Sequence, residues 1–436
     1  MHSAYDSPPC GSIPSVTVTH LEVHAASAHM LAGVRALAAE TLPLEQALGR
    51  VLARDVIAPV FLPPWDNASM DGFAARAEDV RGASAERPVR LRVIGTIAAG
   101  SPPTRAIEHG EAVRIMTGAP VPRGADSVVR VEDSETEGES VAIRDDRDAE
   151  RNIRKRGEDV RAGQLVMSAG TMIGAAHIGV LASVGCTTPS LHAKPRVGIL
   201  ATGDELVPMD RFDDVVAGQR IVSSNSYSLA AAVRAAGGEP VSLGIAPDDP
   251  TQLAKRLRAA EGCDLVLTSG GVSVGDFDYT RDVVIALGGE LSLWRVRMRP
   301  GAPLGFGRLF GVPWLGLPGN PVSALVTFEL FGRPLLRCLA GHARPHRRTI
   351  PVTLIEPLKL GASLTHFLRV VLESDGDNAE LRARLTGAQS SGMLTSMSSA
   401  DALIVVPPEP LEVKAGTILR ALPLDGDLGG SERFLA

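Results

Sequence analysis

At 436 residues the chain is too long for one ordinary domain, and 44% hydrophobic with 22% charged residues is the composition of a soluble globular protein. A formal net charge of −6 argues against a nucleic-acid binder, and 4 cysteines with no CxxC or Cys/His spacing exclude a disulfide framework and a zinc site. No apolar run reaches membrane-spanning length and no basic-then-apolar leader opens the chain, so the cytoplasm is the expected location.

In chain order, residues 1–20 read as a disordered tail. The spacing of Met30, Leu31, Val34 and Leu37 predicts a helix over 24–40, and Leu44, Ala47, Leu48, Val51 and Leu52 predict a second. In FLPPWDNASMDGF, Asn67, Ser69 and Asp71 set an amide, a hydroxyl and a carboxylate close together, and Gly72 lets backbone approach a ligand. Taken alone this is an ordinary capped turn. Residues 58–163 carry short strands punctuated by Gly and Pro, and 171–185 return to a helical pattern with Ile178, Leu181 and Ala182 inward. Residues 21–57 and 164–193 are therefore expected to form one discontinuous helical segment with a β-rich block inserted.

From 194 to 345 the rhythm is strand–loop–helix, with strands apolar on both faces. That pattern predicts a mostly parallel sheet covered on both sides, with ligands beyond the carboxyl ends of its strands. Those ends carry TGDE (202–205), SGGVSVGDFD (269–278) and PGNPVS (318–323). Cys186 and Cys263 read as packing residues. Residues 346–425 read as short strands of a small barrel or sandwich, and 426–436 as a second tail.

The paired glycines of SGGVSVGDFD suit phosphate oxygens, and Asp276 and Asp278 offer hard oxygens for Mg2+. The loop is neither a P-loop nor a dinucleotide fingerprint. TGDE places Asp204 and Glu205 at a second strand end, and PGNPVSALVTFELF opens a helix whose N-terminus favours an anion. Each of the three also serves as a plain turn or cap. In RNIRKRGED the arginines read as solvated surface, with Asp159 the candidate for a fixed role. No HExxH, triad or GxSxG context supports zinc or hydrolase chemistry.

Taken together, DNASMDGFA (66–74), RIMTGAPVPRGADSVVRVED (114–133), NIRKRGEDV (152–160), ATGDEL (201–206), SNSYSL (224–229), TSGGVSVGDFDY (268–279) and GLPGNPVSALVTFELF (316–331) resemble the MoeA-type molybdopterin molybdenumtransferases, a family that includes the C-terminal domain of gephyrin. The resemblance spans roughly 24–425. It implies a multidomain α/β fold: a central molybdopterin-binding α/β domain, an inserted β-rich domain, an elongated helical segment and a small C-terminal β domain. It implies a homodimer whose cleft joins parts of both protomers, and leaves room for other molybdenum cofactor biosynthesis proteins as partners. The implied reaction inserts molybdenum from molybdate into adenylylated molybdopterin, with Mg2+ and release of AMP.

Carried over by motif, Asp71, Thr117, Asp159, Glu205 and Asp278 would be catalytic, with Glu205, Asp276 and Asp278 holding Mg2+. Thr202, Gly203, Ser269, Gly270, Gly271, Ser273, Gly275, Pro318, Gly319 and Asn320 would cradle the substrate. Arg299, Ser323, Arg369 and Ser396 would handle molybdate. One departure stands out: where the family commonly has KPGKP, this chain has RPGAP, so Ala302 lacks a charge. Weaker molybdate capture is the expected consequence, with Arg297 placed on the face of Arg299 rather than at 302. RPGAP favours the alternative of a non-catalytic molybdopterin-binding or scaffold paralogue, whereas the retained acids favour the enzyme.

Overall fold

The computed structural model describes residues 18–271, 279–375 and 378–424. Seven strands form the central sheet, in the order Val18–Leu21, Glu290–Val296, Gly305–Leu309, Val312–Leu317, Leu265–Ser269, Arg196–Thr202, Glu239–Ala246. The last four run parallel, and the hairpin Glu290–Val296/Gly305–Leu309 supplies the antiparallel pairs. Strand alternation sorts the core: Val197, Ile199, Leu265, Leu267, Leu315 and Leu317 share one cluster, while Leu200, Val266 and Trp314 belong to another. The helices Ser224–Ala235 and 321–339 share the first of these clusters, and Pro250–Arg258 and Thr280–Ala286 the second. The expected parallel α/β unit is present. Its first strand, Val18–Leu21, begins within the 1–20 assigned to the tail and pairs in parallel with Glu290–Val296, and the parallel ladder takes up backbone groups that the tail would have left to water.

The first predicted helix is shorter than expected, at Val23–Leu31. Chain beyond Gly33 leaves the helical path, and Ala39–Thr41 instead pairs with Ser190–His192. The second predicted helix is only a tight turn, Leu44–Gln46. Val51 and Leu52 bridge to Met172 and Leu191, so tertiary pairing overrides the helical spacing, and Leu48 stays 65% exposed. Within the helix expected over 171–185, only Ala175–Ser183 is helical, with Leu181 buried but Ala182 exposed rather than inward. Ladders Val56–Ile57/Leu165–Met167 and Ala39–Thr41/Ser190–His192 tie the two halves of this segment together.

The inserted block contains a six-stranded sheet: Ser127–Arg130, Gly72–Ala75, Glu111–Ile115, Val89–Ile97, Ser140–Ile143, Ser134–Glu137. Gly72 has a different reason from the one its sequence suggested. Any Cβ there would overlap the Val129 carbonyl of the neighbouring strand, so the glycine serves strand pairing rather than ligand approach. At the C-terminus, Ile350–Leu354, Thr365–Asp375, Asn378–Leu385, Ala402–Val406 and Ile418–Pro423 close into a barrel, because Thr365–Asp375 pairs with both Asn378–Leu385 and Ala402–Val406. Met298–Arg299 adds to this barrel in parallel with Thr365–His366, joining it to the central sheet. No described helix is long and apolar enough to cross a membrane.

Candidate functional site

Parallel pairing puts the carboxyl ends of four adjacent strands on one edge of the central sheet. The register aligns Ala246 with Thr202, Ala201 with Ser269, and Ser269 with Leu317. At that edge lies a cavity of about 770 Å3. All three Gly-bearing loops contribute: Thr202, Gly203 and Glu205 from the first, Ser269, Gly270 and Gly271 from the second, and Pro318, Gly319 and Asn320 from the third. Ser273, Gly275, Asp276 and Asp278 lie outside the described residues.

The cradle is built from positions where no side chain fits. Gly270 and Gly271 have φ of 93° and 67°, and a Cβ at Gly270 would come within 2.7 Å of the Thr202 carbonyl and hydroxyl oxygens. A Cβ at Gly271 would collide with Thr280 Oγ1. Asn225, in the first turn of Ser224–Ala235, donates through Nδ2 to Ser269 Oγ at 2.7 Å and to the Gly319 carbonyl at 2.8 Å. It thereby ties two loops together. Thr202 Oγ1, Asn225 Oδ1 and Thr280 Oγ1 are each buried without a hydrogen-bond partner among the described residues. A buried polar atom left unpaired costs about 1–3 kcal/mol, so the two on lining residues, Thr202 and Asn225, mark a place that a polar ligand would complete.

Among the described lining residues the only charges are Glu205 and Asp248. Asp248 follows strand Glu239–Ala246, and its backbone N–H donates to Asp204 Oδ1 at 3.1 Å. Burial, with Asp204 and Glu205 nearby, raises its pKa above the usual carboxylate range. The acids give hard oxygen donors of the type Mg2+ takes, and a divalent cation would relieve their mutual repulsion. Among the described residues, however, no three His, Cys, Asp or Glu side chains converge to hold a metal. Positive potential comes instead from two helix N-termini, at Ser224 and Pro321, both of which line the cavity. Sequence reading passed over Asn225, Asp248 and Thr280. The signal for Asp248 was its place after an apolar strand; for Asn225 it was its place in SNSYSL.

Arg299, Ser323, Arg369 and Ser396 do not line this cavity. Pro303, the last residue of RPGAP, does. Ser323 is buried on helix Pro321–Thr327, and the helix Leu394–Ser398 carrying Ser396 packs against it. A Cβ at Gly301 would strike Thr327 of the same helix, so the RPGAP turn lies there too. Arg299 is exposed at the junction with the barrel, its Nη1 3.8 Å from where a Gly361 Cβ would sit. Arg297 is committed to Glu22 at 2.7 Å and to the Ser363 carbonyl, so it does not replace a charge at 302. Arg369 is fully buried and donates to the carbonyls of Ala388, Gln389 and Ser390 and to Ser396 Oγ, with no carboxylate partner among the described residues.

Asp71, Thr117 and Asp159 sit in the inserted block, and no residue of that block lines the cavity. Asp71 is exposed, its Oδ1 accepting from both the N–H and the hydroxyl of Thr117 at 2.7 Å. The Thr117 N–H, then its hydroxyl, hold the carboxyl below its usual pKa. Asp66 accepts from the Arg156 N–H at 2.8 Å and from Lys155 Nζ at 3.1 Å, and Asn67–Ala68 pairs with Ile153–Arg154. Three distant segments are thus laced into one polar surface. Asp159 is exposed on it, its N–H donating to the Leu62 carbonyl at 3.0 Å.

Comparison with known proteins accounts for the same three regions. Residues 21–185 match the MoeA N-terminal region (domain I and II), 198–338 the probable molybdopterin binding domain, and 351–424 the MoeA C-terminal region (domain IV). Molybdopterin molybdenumtransferase 2 of Mycobacterium tuberculosis is 40% identical over 397 residues, covering 90% of this chain and 96% of its own. Molybdopterin molybdenumtransferase of Nostoc sp. is 37% identical over 390 residues, 88% of each chain. The crystal structure of the molybdopterin biosynthesis MoeA protein from Pyrococcus horikoshii OT3 superimposes with a TM-score of 0.80 at 27% identity, covering 93% of this chain and 100% of that one.

Proposed function

The chain belongs to the MoeA family of molybdopterin molybdenumtransferases, transferases of molybdenum cofactor biosynthesis, and on that premise we propose that it inserts molybdenum into adenylylated molybdopterin with release of AMP. The observation that carries this reading is the glycine cradle with its Thr202 and Asn225 atoms, unpartnered among the described residues, at the end of a parallel sheet. A pterin with its polar edges and a phosphate chain supplies the donors and acceptors those atoms lack. Backbone N–H groups of the loops and the two helix N-termini would orient the phosphate oxygens. Splitting a phosphoanhydride requires positioning and charge neutralisation rather than a covalent protein nucleophile, and the described lining residues include no His or Lys to activate one and no Cys.

A cavity whose only described charges are acidic suits an anionic substrate only if further cations join it. Mg2+ held by Glu205 with Asp248, and with Asp276 or Asp278 from the adjoining loop, would supply such charge to the phosphate oxygens. Glu205 would then fix the cation, and Asp248 would stay ionised once it is bound. The chain is proposed to act in the cytoplasm as a homodimer, with Asp71, Thr117 and Asp159 of one protomer facing the cavity of the other. Molybdate would enter beside the helix Pro321–Thr327, where Ser323, Ser396 and Arg369 gather and Ala302 leaves the pocket one charge short.

Purified protein given adenylylated molybdopterin, Mg2+ and molybdate should release AMP in step with molybdenum cofactor. Absence of AMP at saturating molybdate and Mg2+ would refute the reading. Ala302→Lys should lower the molybdate concentration required.

A further inference from the structure

We infer that Gln389 and Ser391 are positioning residues: they form a strap by which the C-terminal barrel sets the N-terminus of the cavity helix. The inference rests on the function just proposed for the cavity, while its structural half stands without it.

The strap starts at Arg369. Beyond Val370↔Leu385 the neighbouring strand keeps only the Thr386 N–H on the Arg369 carbonyl, at 3.1 Å, so the Arg369 N–H has lost its strand acceptor. Gln389 takes its place. Its Oε1 accepts the Arg369 N–H at 2.8 Å, and its Nε2 donates to the Arg369 carbonyl at 3.1 Å and to the Gly387 carbonyl at 3.2 Å. The guanidinium of the same residue grips the loop from below, donating to the carbonyls of Ala388, Gln389 and Ser390 at 3.0–3.3 Å. Loop 387–390 is thus held through both the backbone and the side chain of one buried arginine. A guanidinium has five N–H groups, and four are spent on the loop and on Ser396.

The loop then reaches the cavity. Ser391 accepts the Val322 N–H on its carbonyl at 3.1 Å and the Asn320 Nδ2 donor on its hydroxyl at 3.1 Å. Val322 N–H is one of the N–H groups that a helix start leaves without an internal partner. Gly392, the next residue, lines the cavity beside Pro318, Gly319, Asn320 and Pro321. Asn320 is therefore aimed by a residue of another domain. This coupling fixes which N–H groups of the helix remain free for substrate oxygens, and keeps Arg369 and Ser396 in register with Ser323.

Two measurements test the strap. In ligand-free protein, hydrogen exchange should accelerate about tenfold or more in the peptide covering Pro321–Thr327 in Gln389→Ala, with Ser224–Ala235 unchanged. Unchanged exchange at Pro321–Thr327, or equal acceleration of both helices, overturns the coupling. In turnover, Ser391→Ala should raise KM for adenylylated molybdopterin about five- to tenfold with kcat and Tm near wild type, the size expected for one lost hydrogen bond. Ser391→Thr, which restores the hydroxyl, should restore KM. A wild-type KM in Ser391→Ala, or a loss of kcat that tracks Tm and is not rescued by threonine, overturns the positioning role. Wild-type protein that releases no AMP would instead defeat the proposed reaction, leaving the exchange measurement to decide the strap.

Discussion

The cavity of the central sheet and the polar face of the inserted block are both rich in short polar residues, yet they treat them in opposite ways. In the cavity, Thr202 and Asn225 are buried and keep atoms unpaired among the described residues. On the inserted face, Asp71 and Asp66 are well supplied with donors, and Asp71 is exposed. Buried unpaired groups carry a standing cost that a ligand relieves. Exposed carboxylates fixed by N–H groups carry little cost and present a set geometry to whatever approaches. The first region is a receptor within one chain; the second has the form of a component offered to another molecule.

The largest expected effect is at the cradle. Gly270→Ala places a methyl group against Thr202 at a positive φ, and strain and collision of about 3 kcal/mol should cut AMP release roughly 100-fold or more, with the fold retained by circular dichroism. Normal turnover would show that the loop is not the cradle. Next comes a mixing experiment on the division between the regions. Glu205→Gln and Asp71→Asn should each lower turnover at least about tenfold, and mixed dimers of the two should regain activity, because one composite site then has both wild-type acids. If mixing restores nothing although mixed dimers form, the regions do not meet across protomers.

Within the inserted block, Asp148 is buried and accepts from two of the Arg130 guanidinium nitrogens, Nε at 2.9 Å and Nη2 at 2.8 Å. Burial raises its pKa, but hydrogen bonds from Arg130 outweigh this and hold it at about 2. A depressed carboxylate stabilises above its unfolded pKa, so this contribution should fade as pH falls from about 4 toward 2. Asp148→Asn should cost about 2 kcal/mol at pH 7, discounted because Arg130 reaches water, and should flatten that acid limb in urea unfolding. The smallest effect is at the cavity. A carboxyl with a raised folded pKa binds protons better when folded, so its stabilising contribution is present at low pH and is lost as pH rises through the folded value. Asp248→Asn should therefore raise the Tm of ligand-free protein by about 1–2 °C at pH 7 and by nothing near pH 3. A lower Tm at pH 7 would show that Asp248 is not the burdened group.

Strand alternation and turn residues were enough to read four strands of the central sheet, four of the six in the inserted sheet (Gly72–Ala75 and Ser134–Glu137 were missed), and the strands of the barrel. They also pointed to the three strand-end loops, because each loop follows a continuous apolar run and carries its polar residues in a few consecutive positions. The misreadings have a common physical origin. Leu44–Leu52 has helical spacing, but Val51 and Leu52 find backbone partners 121 and 139 residues away, at Met172 and Leu191. Gly72 resembles a ligand-contact glycine until Val129 is set beside it.

By itself the sequence determined most of the element types, the mostly parallel sheet and the family, since those depend on local periodicity and on motifs of consecutive residues. Only the tertiary structure decided that Asn225 joins Ser269 to Gly319, that Asp248 shares the cavity with Glu205, that Arg369 is turned onto its own loop, and that Ser391 governs Asn320. Each of these joins residues well separated along the chain. The register of strands and the packing of one domain on another create them, and neither leaves a periodic trace in the sequence.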